Sequence, residues 1–103
     1  MTVSAPRILC VEPDPRLLDT RCTILMHKGY NVYPASLPLA AGLLASQTID
    51  LIILSSRLSG EERRQIAIVA GNTEIMVLEG LTMPSELLSE VAKLLHHGQE
   101  RTA

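Results

Sequence analysis

The chain contains no phenylalanine and no tryptophan, and its only tyrosines are Tyr30 and Tyr33. Aromatic platforms on which unstacked bases could lie are therefore missing, which excludes the usual single-strand binding surface. A formal net charge of −2 leaves no basic excess to neutralise phosphates, so no nucleic acid is expected as a direct partner of this domain. Cysteine is almost as scarce. Cys10 sits in an apolar run and Cys22 in a helical pattern, with no CxxC or Cys/His spacing that could assemble zinc, so two reduced, packed thiols are expected. No apolar stretch is long enough for a membrane span, and the opening "MTVSAPRILCVEPD" lacks the apolar run of a signal peptide. A reducing cytoplasm, with no membrane contact, is the expected setting. A glycine-rich phosphate loop is also absent, because "SSRLSGEE" carries one glycine and no lysine.

What is present is aliphatic. At 103 residues and 47% hydrophobic content, the chain predicts one domain, residues 1–103, with a single core over about 7–95. Short runs rich in Ile, Val and Leu alternate with longer segments of helical period, the pattern of parallel strands joined by helical crossovers. The class is α/β. "RILCV" (Arg7 to Val11) reads as a first strand stopped by "EPDP", in which Asp14 is placed to cap a helix and Pro15 to open it. Leu18, Cys22 and Leu25 form that helix's core stripe, with Leu17 and Ile24 beside it, and "HKGY" supplies a basic end and a glycine stop.

"NVYPA" reads as a second strand at a sheet edge, because Pro34 cannot donate to a ladder. "SLPLAAGLLASQ" is a weaker helix with Ser36 as its cap, and Gly42 costs it about 1 kcal/mol against alanine. "DLIIL" is apolar throughout its inner positions and predicts a central strand covered on both faces. "SGEERRQIAIVAGN" opens with Ser59 and Glu62 at capping-box spacing, with Arg63 and Arg64 on an exposed face. "EIMVL" is a fourth strand. "SELLSEVAKLLHH" is a last helix with Leu87, Leu88, Val91 and Leu95 inward, and "GQERTA", residues 98–103, a polar tail expected to fray. His27, His96 and His97 fall near helix ends, where a cation favours the dipole, and read as surface residues.

Three stretches together carry a resemblance. "ILCVEPDPRLLDTRCTILMHKGYNVYPAS", "DLIILSSRLSGEE" and "MPSELLSEVAKLL" resemble, in order, the opening, the phosphoacceptor strand and the last helix of response-regulator receiver domains of two-component systems. The resemblance implies a flavodoxin-like, three-layer receiver-like sandwich with parallel strand order 2-1-3-4. The family's fourth helix and fifth strand would be missing between "EIMVL" and the final helix, making the fourth strand an edge.

The same resemblance implies an acceptor aspartate, an acidic pair that helps hold Mg²⁺, a hydroxyl residue after strand four and a lysine before the last helix. Phosphoryl transfer needs an in-line nucleophile and cations on the equatorial oxygens. Here the acceptor falls on Ser55, the acidic pair on Glu12 and Pro13, the hydroxyl on Glu79 and the lysine on Met83. Ser55 cannot form an acyl phosphate, and one carboxylate, Glu12, offers at best a weak metal ligand. No catalytic residue, no metal and no cofactor are therefore expected. Arg57 is expected to be solvated or to pair across the turn with Glu12 or Glu61.

The expectation is a degenerate, shortened receiver, not an enzyme, that acts in phosphorelay-type signalling by contact with a protein partner or as a homodimer. Its contact surface is assigned to Ile75, Val77 and Leu78 on the open fourth strand. Two alternatives remain: a receiver still switched by phosphorylation of Ser55, and a small-ligand module using the cleft at the strand C-termini.

Overall fold

The structure is a computed structural model describing residues 5–79 and 82–102, with side chains described through Leu95. Four strands, β1 (Arg7–Val11), β2 (Asn31–Ala35), β3 (Leu51–Ser55) and β4 (Glu74–Leu78), alternate with α1 (Pro15–His27), α2 (Leu37–Ser46), α3 (Gly60–Ala70) and α4 (Pro84–Thr102). The strands form one parallel sheet in the order β2-β1-β3-β4. β1 and β3 are central, with Leu9 opposite Ile52 and Cys10 opposite Ile53.

Period-two alternation divides the core into two layers. Leu9, Val11, Ile52 and Leu54 face one way and pack with Ala40, Ile66 and Ala70, beneath α2 and α3. Ile8, Cys10, Leu51 and Ile53 face the other way and pack with Cys22, Leu25, Leu87 and Val91, beneath α1 and α4. Every β3 side chain is buried, which explains an apolar run without polar alternation. Burying each of its aliphatic side chains contributes about 1.5–3 kcal/mol. β2 lies at the edge, where Pro34 leaves no central ladder position without a donor.

The helix ends follow the local chemistry. Asp14 caps α1 by accepting from the Arg16 N–H at 2.9 Å, with Pro15 at the first helical position. Ser59 and Glu62 close a reciprocal capping box at α3. Gly29, at φ 104°, makes the left-handed exit from α1 that a side chain would resist. Two ends differ from expectation. Ser36 stands at the cap position of α2 but makes no side-chain cap bond, and α4 continues to Thr102 through the segment predicted as a tail. A single Gly98 weakens a helix by about 1 kcal/mol without stopping it, because the residues after it remain helix formers.

α4 settles what covers β4. Leu78 is buried beneath Leu87 and Val91, and Met76 is half-buried against the same cluster, so Leu78 does not belong to the exposed surface assigned to it from sequence. Alternation explains the split: Leu78 faces α4, whereas Ile75 and Val77 face the other layer. Ile75 is half-buried against that layer, and Val77 remains 46% exposed.

Candidate functional site

At the C-terminal ends of β1, β3 and β4, the chain gathers Glu12, Ser55 and Glu79. Glu12 is the first residue after β1, and its carboxylate is fully buried. A buried carboxylate requires a partner, and α1 supplies one. The Arg21 guanidinium, also buried, donates from Nη1 to Glu12 Oε1 at 2.8 Å. Glu12 Oε2 accepts from the Asp14 backbone N–H at 2.9 Å, so both carboxylate oxygens are engaged. Arg21 Nη2 also donates to the Glu79 backbone carbonyl at 3.2 Å. One side chain thus ties the end of β1 to the end of β4.

Ser55 closes β3 with 1% of its surface exposed, and its Oγ accepts from the Arg57 backbone N–H at 3.1 Å. That bond, with the Leu58 N–H donating to the Ser55 carbonyl, makes the turn into α3. Ser56 is exposed, while its N–H donates to the Leu78 carbonyl at 3.0 Å and extends the β3–β4 ladder. Arg57 pairs with neither Glu12 nor Glu61; it lies 3.8 Å from Asp14 on the surface. Glu12 is neutralised from within by Arg21.

The structure brings Ser55, Glu12 and the Glu79 backbone to one end of the sheet, but Pro13 and Met83 are exposed, as is the Glu79 side chain. Among the described residues no group of three His, Cys, Asp or Glu side chains is placed to hold a metal ion. His27 is exposed, and the side chains of His96 and His97 lie outside the described residues. Arg64 is exposed and 3.6 Å from Glu61, whereas Arg63 is half-buried rather than fully exposed.

Sequence reasoning missed Arg21. Its signal was present, since position 21 is three residues after Leu18 and four before Leu25, on the inward stripe of α1. A charge on that stripe predicts a buried counter-charge, and Glu12 ends the neighbouring strand.

Beneath this pair lie the two cysteines. Cys10 and Cys22 are both buried in the α1/α4 layer and are not disulfide-bonded. Their mutual hydrogen bond, followed by burial, pushes the Cys10 thiol well above its ordinary range. The same bond lowers Cys22.

Two concave features flank the site. A groove of about 560 Å³ runs between β4 and the start of α4. A cleft of about 310 Å³ lies at the ends of β1 and β2 among Pro13, Leu18, Leu37 and Leu58. Among the described residues no helix is long and apolar enough to cross a membrane.

An open parallel sheet in the order 2-1-3-4, with helices on both faces and its polar residues at the strand C-termini, defines a flavodoxin-like α/β protein of the CheY-like receiver fold. Solved structures bear this out. A response regulator receiver protein from Sinorhizobium medicae is similar to this chain with TM-score 0.75 and 20% identity, over 92% of this chain and 98% of that one. A CheY-like receiver domain protein from Methanospirillum hungatei gives TM-score 0.73 and 18% identity, over 95% and 99%. A structure of histidine kinase ThkA in complex with response regulator TrrA gives TM-score 0.71 and 24% identity, over 87% and 98%. No protein-family model and no curated protein matches the sequence.

Proposed function

We propose that this chain is a non-catalytic, receiver-like signalling domain of the two-component type that acts through protein–protein contact and not through phosphorylation of its own site. The observation that carries this reading is the buried Arg21–Glu12 pair. Where the resemblance puts a carboxylate free to help hold Mg²⁺, both oxygens of Glu12 already accept hydrogen bonds, one of them from a fixed internal cation. Divalent metal would have to displace a guanidinium with no second carboxylate at Pro13, so Mg²⁺ and other cofactors have no role in this reading. Ser55 is buried and engaged in its turn, which also argues against modification by a kinase. The small-ligand reading has little support, because Glu12 and Glu62 at the apolar cleft are already engaged in Arg21 and cap bonds.

Contact is assigned to the open side of β4, where Ile75 and Val77 lie on the face that, among the described residues, no helix beyond α3 covers. Self-association through that edge is its homotypic form, and the similar structure of a kinase with a response regulator makes a signalling protein the natural class of heterotypic partner. A cytoplasmic setting suits two unpaired thiols. Incubation with a small acyl-phosphate donor and Mg²⁺, read by intact mass, is expected to leave the mass unchanged. A gain of one phosphoryl group on the folded chain overturns the reading. Light scattering over a concentration series reads the homotypic form directly.

A further inference from the structure

The groove beside β4 has a chemistry of its own. Its apolar wall is formed by Met76 beside the β4 backbone at Val77, and Glu79, Glu86 and Glu90 line it with carboxylates. Glu90 is shared with Lys93 at 3.5 Å, and among the described residues no cation pairs with Glu79 or Glu86. Among the described residues no strand pairs with the outer side of β4, which bounds the groove. The Leu78 carbonyl accepts from Ser56 on the β3 side, so by strand alternation Ile75 and Val77 turn their N–H and C=O groups to the open edge. The groove is built before any partner arrives, because Arg21 holds the Glu79 carbonyl at its end.

We infer that this groove receives an extended segment of another protein in which basic residues alternate with apolar ones, added to β4 as a further strand. The inference rests on the reading that the chain works by contact through β4, and it names the kind of partner. An added strand points alternate side chains to opposite faces. One set lies on the α4 side, against Glu86 and Glu90, and is basic. The other set lies on the side of Ile75 and the exposed Val77, and is apolar. A second copy of this chain fits less well. β4 against β4 brings two sets of Glu79, Glu86 and Glu90 together, and the opposite edge strand, "NVYPA", carries Pro34 and no basic residue.

The test uses the full chain and two synthetic peptides of about seven residues, a length matched to a short strand, one alternating lysine with valine and the other glutamate with valine. Fluorescence anisotropy is expected to show binding of the lysine–valine peptide alone. Glu86→Gln with Glu90→Gln is expected to weaken it by about tenfold. Amide exchange at Ile75 and Val77 should slow when that peptide is bound. Val77→Pro, which removes an outward N–H and leaves the β3 ladder intact, should abolish binding, with thermal melting confirming that the variant is folded. Equal binding of both peptides, indifference to the glutamine pair, or binding without protection of Ile75 and Val77 overturns the inference. Dimerisation that Val77→Pro disrupts, with neither peptide bound, rejects the basic segment but keeps contact through β4. If neither peptide binding nor self-association responds to Val77→Pro, both readings fail.

Discussion

Removing the Arg21 guanidinium leaves the Glu12 carboxylate buried with only the Asp14 N–H to meet it. Arg21→Ala is therefore expected to lower stability by about 3–5 kcal/mol, read as a shift in the urea midpoint. The double replacement Glu12→Leu with Arg21→Met removes both charges together and should cost much less, so the cycle returns a large coupling between the two positions. The thiol pair below gives a pH signature. An unfolded cysteine ionises near pH 9.0, whereas the Cys22 hydrogen bond and burial keep Cys10 protonated beyond that. The folded chain then holds a proton that the unfolded chain releases, so this contribution is complete below pH 9 and is lost as pH rises above it. Cys22, lowered by the same bond, offsets part of the loss. Thermal midpoints measured across that range should fall more steeply for the natural chain than for Cys10→Ala. At this scale the sequence was only partly legible. Ser55 and Glu12 could be placed at strand ends by pattern, whereas Glu12's partner shows in the sequence only as a charge on the apolar stripe of α1, because spacing puts Arg21 on the inward face without saying which strand end it reaches. Arg57, the nearer arginine by turn logic, stays on the surface with Asp14.

A strand with one face covered and the other open shows its asymmetry in paired substitutions. Leu78→Ala is expected to cost about 2–5 kcal/mol, since Leu78 fills the layer with Leu87 and Val91 and truncation leaves a cavity there. Val77→Ala should cost about 1 kcal/mol or less, because nearly half of that side chain already faces solvent. Equal losses at the two positions would mean that Val77 is covered as well. At the other end of the same crossover, Ser59→Ala should cost about 1 kcal/mol by opening the capping box. Elements of this kind were the most legible part of the chain. Capping boxes, a proline at a first helical position and an unbroken aliphatic run each act through the local backbone, so β3, α1 and α3 could be located from sequence. Leu78 was misassigned for a different reason: alternation says that Leu78 and Val77 face opposite ways, but not which face a helix starting six residues further on will reach. The cap of α2 shows the limit in the other direction, because Ser36 has the right position and makes no bond.

The fold as a whole depends on α4 more than its place at the end of the chain suggests. Its buried residues Leu87 and Val91 pack with Ile8 of β1, Ile53 of β3 and Leu78 of β4, and with Cys22 and Leu25 of α1. Three strands thus share one lid with α1, and the sheet's α1/α4 layer exists only when that lid is in place. A helix of this period is amphipathic, and its stability comes from the face it buries, not from its own propensity. A chain ending at Met83 would expose Leu78, Ile53 and part of Ile8 on a sheet face that keeps α1 alone among the described helices, since α2 and α3 cover the opposite face. The aliphatic burial lost there, at about 1.5–3 kcal/mol for each fully buried side chain, is comparable with the whole stability of a small domain. Truncation after Met83 is therefore expected to abolish cooperative thermal unfolding by circular dichroism. Truncation after Leu95 keeps Leu87, Leu88, Val91, Leu94 and Leu95, every α4 residue found in that layer among the described side chains, and should retain a single cooperative transition. If the shorter chain melted cooperatively with an unchanged midpoint, α4 would be an appendage, and the groove it forms with β4 would have no fixed wall.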